Sequence, residues 1–395
     1  MQWHLLNLSN EPELREVVAV SKSALAGSRL GARAFDLQWR SGAGADRSTL
    51  RVFALRDDAT TLGLALFSIH RKPLTFRLGE ISIGSVDFAR HWHVGEPYLD
   101  SRFDAPAAAE AFDKLVDVAV ARLGRKECLF FEGLPVDGAA RGALGTDRSD
   151  RPWIVLKLGD DFDHQFIQLP DTFTDYVAQL GSRSRQSLLY SQRRLLKDMG
   201  GDVRCECFES EESVERFVAD ATAVSRKTYQ WNLLNLGLRD SAALSDSLRF
   251  AARNGWLRSF LLYCRETPVA FMLGGQYGDC YYYDDVGYDP DFSKWSVGSV
   301  LQLEVLQQLL ARADKPRNFD FSTGYGEHKG RFGNYSRKER NVLVFPRNTR
   351  NRVLRRLYSL TDQTSKATAR LLAKAGVKDR LKQLIRRRSG RKSGP

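Results

Sequence analysis

Residues 281–301 hold the densest set of groups capable of chemistry: Tyr281, Tyr282, Tyr283, Asp284 and Asp285 in a row, then Val286-Gly287-Tyr288, a loop, and the turn Ser296-Val297-Gly298. The stretch reads as a strand, a loop and the start of a helix. A helix N-terminus presents backbone N–H groups without intrahelical partners and the positive end of the dipole, which suits a pyrophosphate. Gly298 lets the backbone approach an anion closely, Ser296 or Ser299 can cap the helix, and Lys294 adds a point charge. An ordinary strand–loop–helix with a serine cap fits the same residues, and local spacing does not separate the two. A second polar cluster, Glu327-His328-Lys329, follows Gly326. His328 titrates near neutrality and can act as a base, and Lys329 can hold an anionic substrate group or a phosphate. A capped, solvated helix start is the plain alternative for this cluster.

These residues need elements to carry them. Two β-rich runs broken by a polar turn, residues 51–69 and 259–276, read as hairpins. Each is followed later by an amphipathic helix and a short strand: 107–123 then 127–132, and 299–313 then 318–322. The second helix carries the stripe Val300, Leu301, Leu303, Val305, Leu306, Leu309 and Leu310. Hairpin, helix and strand occurring twice suggest a duplicated α/β unit, with a break in the Gly/Asp/Ser/Arg-rich stretch 141–152 and a linking strand and crossover over 153–168. Helices are expected over 174–180, 182–197 and 211–226, with a strand over 202–208 between the last two. Arg183, Arg185, Arg193 and Arg194 on the 182–197 helix suit an acidic partner, or simply a solvated face.

Composition narrows the class. The 395 residues are 43% hydrophobic and 11% aromatic, which describes a globular chain. No apolar run reaches membrane-spanning length, and the first residues lack the basic and apolar regions of a cleaved signal. Five scattered cysteines without metal-ligand spacing fit a reducing cytoplasm, and no metal is expected. Residues 351–395 carry 14 Lys/Arg and 2 Asp/Glu, which is the whole net charge of +12; the preceding 350 residues are balanced. That tail spaces Val353, Leu354, Leu357 and Leu360 among its basic residues as an amphipathic helix would, able to lie on an anionic bilayer or bind a partner. No specific nucleic acid is expected, although phosphate contacts need only charge.

In combination, the chain resembles the GNAT acyltransferases, in particular the tandem-domain branch linked to cellulose and exopolysaccharide biosynthesis and related to the Fem-type aminoacyl transferases. Three stretches carry the likeness: Leu180-Gly-Ser-Arg-Ser-Arg-Gln-Ser-Leu through Arg193-Arg194-Leu195; the strand running into Ser296-Val297-Gly298; and Phe319-Asp-Phe-Ser-Thr-Gly-Tyr-Gly-Glu-His-Lys-Gly-Arg-Phe. Val297 stands where the branch usually has Pro, and His328 where it has Tyr. The resemblance spans roughly residues 165–345, with a weaker echo in 1–150.

It implies an α/β (α+β) fold of two tandem GNAT-like domains, each a mixed, mostly antiparallel sheet flanked by helices. The division would be 1–150, non-catalytic because no Gly-containing anion turn precedes its helix; 151–348, catalytic; and 349–395, the basic tail. It implies two strands splaying apart to admit the pantetheine arm of acetyl-CoA or another acyl-CoA, with Lys294, Ser296, Val297, Gly298, Ser299 and Val286 against this carrier. Acyl transfer from a thioester needs a neutral amine, and a carboxylate of raised pKa can take its proton. Strand alternation sets Tyr281, Tyr283 and Asp285 on one face and Tyr282, Asp284 and Val286 on the other, so Asp285, with Asp284 or His328 as alternatives, is the expected base. A backbone N–H near Val286–Tyr288 would stabilise the oxyanion, and Tyr325, or Tyr288, would protonate the thiolate. Tyr283, Glu327 and Lys329 would contact the acceptor. The acceptor is an amine, such as an amino sugar of a surface polysaccharide or its lipid-linked precursor, and the enzyme would work in the cytoplasm, at the inner membrane surface where the tail holds it. The alternatives are a Fem-type transferase using aminoacyl-tRNA and a GNAT-fold binding protein without chemistry.

Overall fold

The strand-forming runs pair into a single sheet. The computed structural model describes residues 1–24, 48–58, 60–78, 81–145, 147–228, 231, 237–322 and 327–374. In chain order the strands are β1 (Gln2–Leu5), β2 (Leu50–Asp57), β3 (Thr60–Leu78), β4 (Ile81–Val94), β5 (Tyr98–Leu99), β6 (Glu127–Pro135), β7 (Trp153–Gln168), β8 (Val203–Phe208), β9 (Ser259–Cys264), β10 (Thr267–Tyr277), β11 (Cys280–Tyr288), β12 (Asn318–Asp320) and β13 (Tyr335–Pro346). Their order across the sheet is β1-β2-β3-β4-β6-β13-β7-β12-β11-β10-β9-β8, with β5 pairing β3. All pairings are antiparallel except β4 with β6 and β11 with β12. The architecture is therefore a mixed α/β fold with one large, mostly antiparallel open sheet.

The order reads alike from both edges. β1-β2-β3-β4-β6 on one side corresponds to β8-β9-β10-β11-β12 on the other, and the parallel pair falls at the same place in each. The two central strands are exchanged: β7, which follows β6 in the chain, pairs with β12, while β13, which follows β12, pairs with β6. β7 and β13 then pair with each other from Trp153↔Pro346 to Tyr335↔Phe166. Residues 153–168, expected as a strand and crossover, are thus one long strand at the seam. The hairpin expected over 51–69 also extends further, because β3 continues to Leu78 and pairs with β4 as a ribbon down to Leu78↔Ile81.

Helices cover both faces, and two short ones, α3 (Ala140–Leu144) and α4 (Phe173–Gln179), flank β7 in the chain. On one face lie α2 (Ala105–Val120) and α8 (Val297–Leu310); on the other lie α1 (Glu11–Ala24), α6 (Val214–Lys227), α7 (Ala242–Arg253) and α10 (Thr349–Lys374). α8 is apolar nearly all round, and Val297, Val300, Leu301, Leu303, Val305, Leu306, Leu309 and Leu310 are all buried, as a helix held inside the core requires. It packs on β9–β11 and on α5 (Ser182–Asp198), which buries Leu188 and Leu195. Truncating such a side chain, for example Leu306→Ala, costs roughly 2–5 kcal/mol. No described helix is long and apolar enough to cross a membrane.

Candidate active site

The site begins where two strands part. One edge of β11 pairs with β10 along its length, but the other meets β12 over only three positions: Cys280↔Asn318, Tyr281↔Phe319 and Tyr282↔Asp320. Ser322 then turns the chain away with a left-handed φ of 58°, and its hydroxyl donates to the Tyr283 carbonyl at 2.7 Å as a last tie. From Asp284 to Tyr288 that edge of β11 has no strand partner among the described residues. The corresponding pair in the first half stays closed: β4 and β6 match over six positions, and the Gly95 amide adds a bond to the Glu132 carbonyl.

A bulge sits at the parting. Leu273 faces Asp285 and Gly274 faces Tyr283, which leaves Asp284 as the extra residue. Gly274 makes the bulge possible, since a Cβ there would lie 2.6 Å from the Tyr282 carbonyl oxygen. The extra residue shifts the alternation, so the face assignment expected from strict alternation is corrected. Tyr281 and Tyr283 share their face with Val286, which packs in the α8 core; Asp285 lies on the opposite face with Leu273 and, two ladder steps back, Tyr282. Asp284 is exposed and Asp285 half-buried. Burial pushes the Asp285 carboxyl above the usual carboxylate range, opposed by the Val286 amide, which donates to Oδ1 at 2.8 Å. The Val286 amide is therefore engaged.

The turn into α8 stands beside the free edge. Ser296 adopts a left-handed conformation at φ 55°, and its side chain makes no capping bond, contrary to the expected serine cap. Its carbonyl takes the amides of Ser299 and Val300 at 2.8 and 3.1 Å, leaving those of Val297 and Gly298 without a hydrogen bond among the described residues. A cleft of about 580 Å³ opens here, lined by Tyr283, Val286, Tyr288, Ser296, Gly298 and Ser299 among others. Lys294 is not part of that lining; its ammonium sits 3.9 Å from the centre of the Trp295 ring. The matching helix of the first half, α2, has its N-terminus closed instead: the Asp104 carboxylate caps the Ala107 amide at 2.9 Å, and Pro106 has no N–H to offer.

Below the parting lies a buried ionic cluster. His164 on β7 stands between Asp320 on β12, 2.6 Å from Nε2, and Glu339 on β13, 3.1 Å from Nδ1. All three are buried, Arg337 pairs with Glu339 at 2.8 Å, and His164 stacks on Phe166. A doubly protonated imidazole donates to both carboxylates, whereas a neutral ring can donate to only one. Lys329, on α9 (Glu327–Phe332), is buried too; its ammonium donates to the Ser322 carbonyl at 3.2 Å, and burial lowers its pKa against the pull of Asp320. Asp320 stood in the motif quoted above, but nothing in the sequence singled out His164 or Glu339. Their meeting depends on the exchange of β7 and β13. Tyr325 and the side chains of Glu327 and His328 lie outside the described residues. No described group of three or more His, Cys, Asp or Glu is placed to hold a metal.

On the Asp285 face a second cleft, of about 440 Å³, crosses the seam between the halves; Tyr98, Phe166, Tyr282, Asp320, Tyr335 and Arg337 line it, with Glu96 at its rim. Burial raises the Glu96 carboxyl, opposed by the bond from the Ala140 amide and by Arg337.

Comparison with known proteins agrees with this geometry. Residues 182–330 match the family described as acetyltransferase (GNAT) domain. No curated protein matches the chain. Among solved structures, FemX covers 92% of this chain and 100% of its own, at 11% identity and a TM-score of 0.54. The C-terminal domain (DUF2156) of a protein described as a lysylphosphatidylglycerol synthetase, from Agrobacterium fabrum, covers 88% of this chain and 96% of its own, at 14% identity and a TM-score of 0.52. At these identities the likeness is one of fold. The segment holding the parted strands and the open turn is thus the one that matches the acetyltransferase (GNAT) domain family.

Proposed function

We propose that this chain is an N-acyltransferase that moves an acyl group from coenzyme A to an amine. The observation that carries the reading is the parting of β11 from β12 beside the turn into α8, where Gly298, whose amide has no hydrogen bond among the described residues, lines the cleft. That amide and the α8 dipole would hold the diphosphate of the carrier, and the free edge of β11 would take its pantetheine arm in place of a strand. Asp285, with its raised pKa, would remove a proton from the incoming ammonium. The freed nitrogen attacks the thioester carbon, a C–N bond forms and the C–S bond breaks; the thiolate takes a proton from Tyr288, which lines the cleft, or from Tyr325, and the surplus proton on the new amide nitrogen leaves to restore that tyrosine.

The acceptor would enter from the opposite face, through the cleft across the seam. Asp285 lies about 7 Å along β11 from Tyr282 in the floor of that cleft, counting two ladder steps. The aromatic walls and the carboxylates of Glu96 and Asp320 suit a ring bearing an amine, which supports an amino sugar as the acceptor class. Surface polysaccharide precursors are one source of such rings.

The test is release of free thiol from a panel of acyl-CoAs in the presence of amine acceptors, with thermal shift for carrier binding. Expected is stabilisation by CoA esters and thiol release that requires the amine. No shift with any CoA ester, together with a shift produced by aminoacyl-tRNA, would overturn the reading.

A further inference from the structure

The β3–β4 ribbon projects beyond the sheet, and α10 lies along it from base to tip. The Arg350 guanidinium stands 5.3 Å from the ring centre of Phe88 near the base, Phe76 and Tyr358 meet at 6.2 Å, and the Ser365 hydroxyl donates to the Arg77 carbonyl at 2.7 Å near the tip. Leu354 and Tyr358 face inward, packed with Leu74, Phe76, Val86, Phe88 and Phe345. The apolar positions of the tail, which sequence reading treats as one stripe, are therefore divided. Leu354 is core, while Val353, Leu357 and Leu360, spaced i, i+4, i+7 on one helix face, are 50, 50 and 58% exposed. At the ribbon tip Leu78, Ile81 and Ile83 are 44, 69 and 52% exposed. These six make up half of the twelve exposed large apolar side chains in the described residues, concentrated on two elements that touch.

The charge on the helix beside this patch is predominantly positive. Between residues 349 and 374 α10 carries seven Lys/Arg and a single acid, Asp362. Arg352 and Arg356 are exposed beside Val353 and Leu357 and form no ion pair among the described residues. By sequence, residues 375–395 add eight Lys/Arg and one Asp. Aliphatic side chains flanked by uncompensated arginines match an interface with hydrocarbon below and anionic headgroups above. Nucleic acid would be met by the arginines alone and would leave the isoleucines and leucines without a partner.

We infer that the ribbon tip and the outer face of α10 together form a docking surface for an anionic lipid bilayer. This inference is independent of the reaction proposed above. The test is co-sedimentation of the full chain with vesicles of phosphatidylcholine alone and of phosphatidylcholine with phosphatidylglycerol. Binding is expected only to the anionic vesicles. Ile81→Asp/Ile83→Asp and Leu357→Asp/Leu360→Asp should each weaken it at least about tenfold, since two aliphatic insertions are worth more than the 1.4 kcal/mol of one decade. Arg352→Gln/Arg356→Gln should also weaken it at least about tenfold at low salt, because two cations are lost beside the anionic surface. Circular dichroism should show all three variants folded, because the altered side chains are exposed. Equal binding to both vesicle types, unchanged binding by the two apolar variants, or binding to duplex DNA in preference to vesicles would each overturn the proposal. So would a stable dimer that these apolar variants dissociate.

Discussion

Tyr282 and Asp320 are the last residues to face each other across β11 and β12, and the strands part directly after that pair. Above it, among the described residues, that edge of β11 has no further strand partner and the Gly298 amide no hydrogen bond; below it His164 ties β7, β12 and β13 together. An opening is thereby set above a cross-linked floor, and the following predictions separate the two.

Gly298→Ala tests the anion turn. A Cβ at this position would lie 3.4 Å from the Tyr288 ring, an ordinary contact, so the fold accommodates it. Stability should hold or rise by about 0.5–1 kcal/mol, because alanine is the better helix former. The methyl group would occupy the path of the diphosphate, and KM for acyl-CoA should rise about tenfold or more, a loss of roughly 1.4 kcal/mol. Unchanged KM in steady-state kinetics would detach Gly298 from the carrier.

Asp285→Asn tests the base. Turnover should fall about 10²–10⁴-fold, the usual worth of a positioned base. In the wild type the rate should rise with pH through a midpoint above the usual carboxylate range, since only the ionised form accepts a proton. Stability moves the other way. A carboxyl whose pKa is raised by folding adds stability at pH below its unfolded value, and this is lost as pH climbs through the folded value. Asp285→Asn should therefore be neutral or stabilising near neutral pH, and a chemical unfolding series over pH would read this directly.

His164→Ala tests the floor. It leaves Asp320 and Glu339 buried beside a cavity; Arg337 still pairs with Glu339, while Asp320 keeps the Ser322 amide and the nearby Lys329 but loses its ion-pair partner on β7. Breaking a buried pair in this way costs about 3–5 kcal/mol. Adding Asp320→Asn to His164→Ala should restore part of the loss, and urea unfolding of the double-mutant cycle would measure it. Additive effects would dissolve the cluster as a unit.

The seam predicts cooperativity. β7 and β13 each complete the sheet of the opposite half, so neither half closes alone. Calorimetry should show one unfolding transition for the whole chain. Fragments 1–168 and 169–395, which each lack one of the two exchanged strands, should lack dispersed amide spectra when expressed separately; two independent transitions would contradict the exchange.

Much of this was legible beforehand because it is local. The periodicity of 299–313 and the alternation of 259–276 mark α8 and the β9–β10 hairpin, and the Ser296-Val297-Gly298 turn stands where a strand gives way to a helix. Local pattern fails where register matters. Strict alternation sets Asp285 beside Tyr283, but one bulged residue moves it to the other face, because the side-chain period of a strand is two and any insertion inverts it. Serine at the head of α8 suggests a side-chain cap, whereas its left-handed backbone turns the hydroxyl away from that role.

What the sequence determined by itself is the set of elements, the placing of a glycine and a bare helix start after a tyrosine-rich strand, and the concentration of positive charge in the last residues. What only the tertiary structure decided is which strands are neighbours. Pairing between β13 and β6, some 200 residues apart, is chosen by the burial of both faces of the sheet and not by anything local to either strand. That choice brings His164, Asp320 and Glu339 into contact, parts β11 from β12 beyond Tyr282, and divides the tail helix into a packed face and an exposed one.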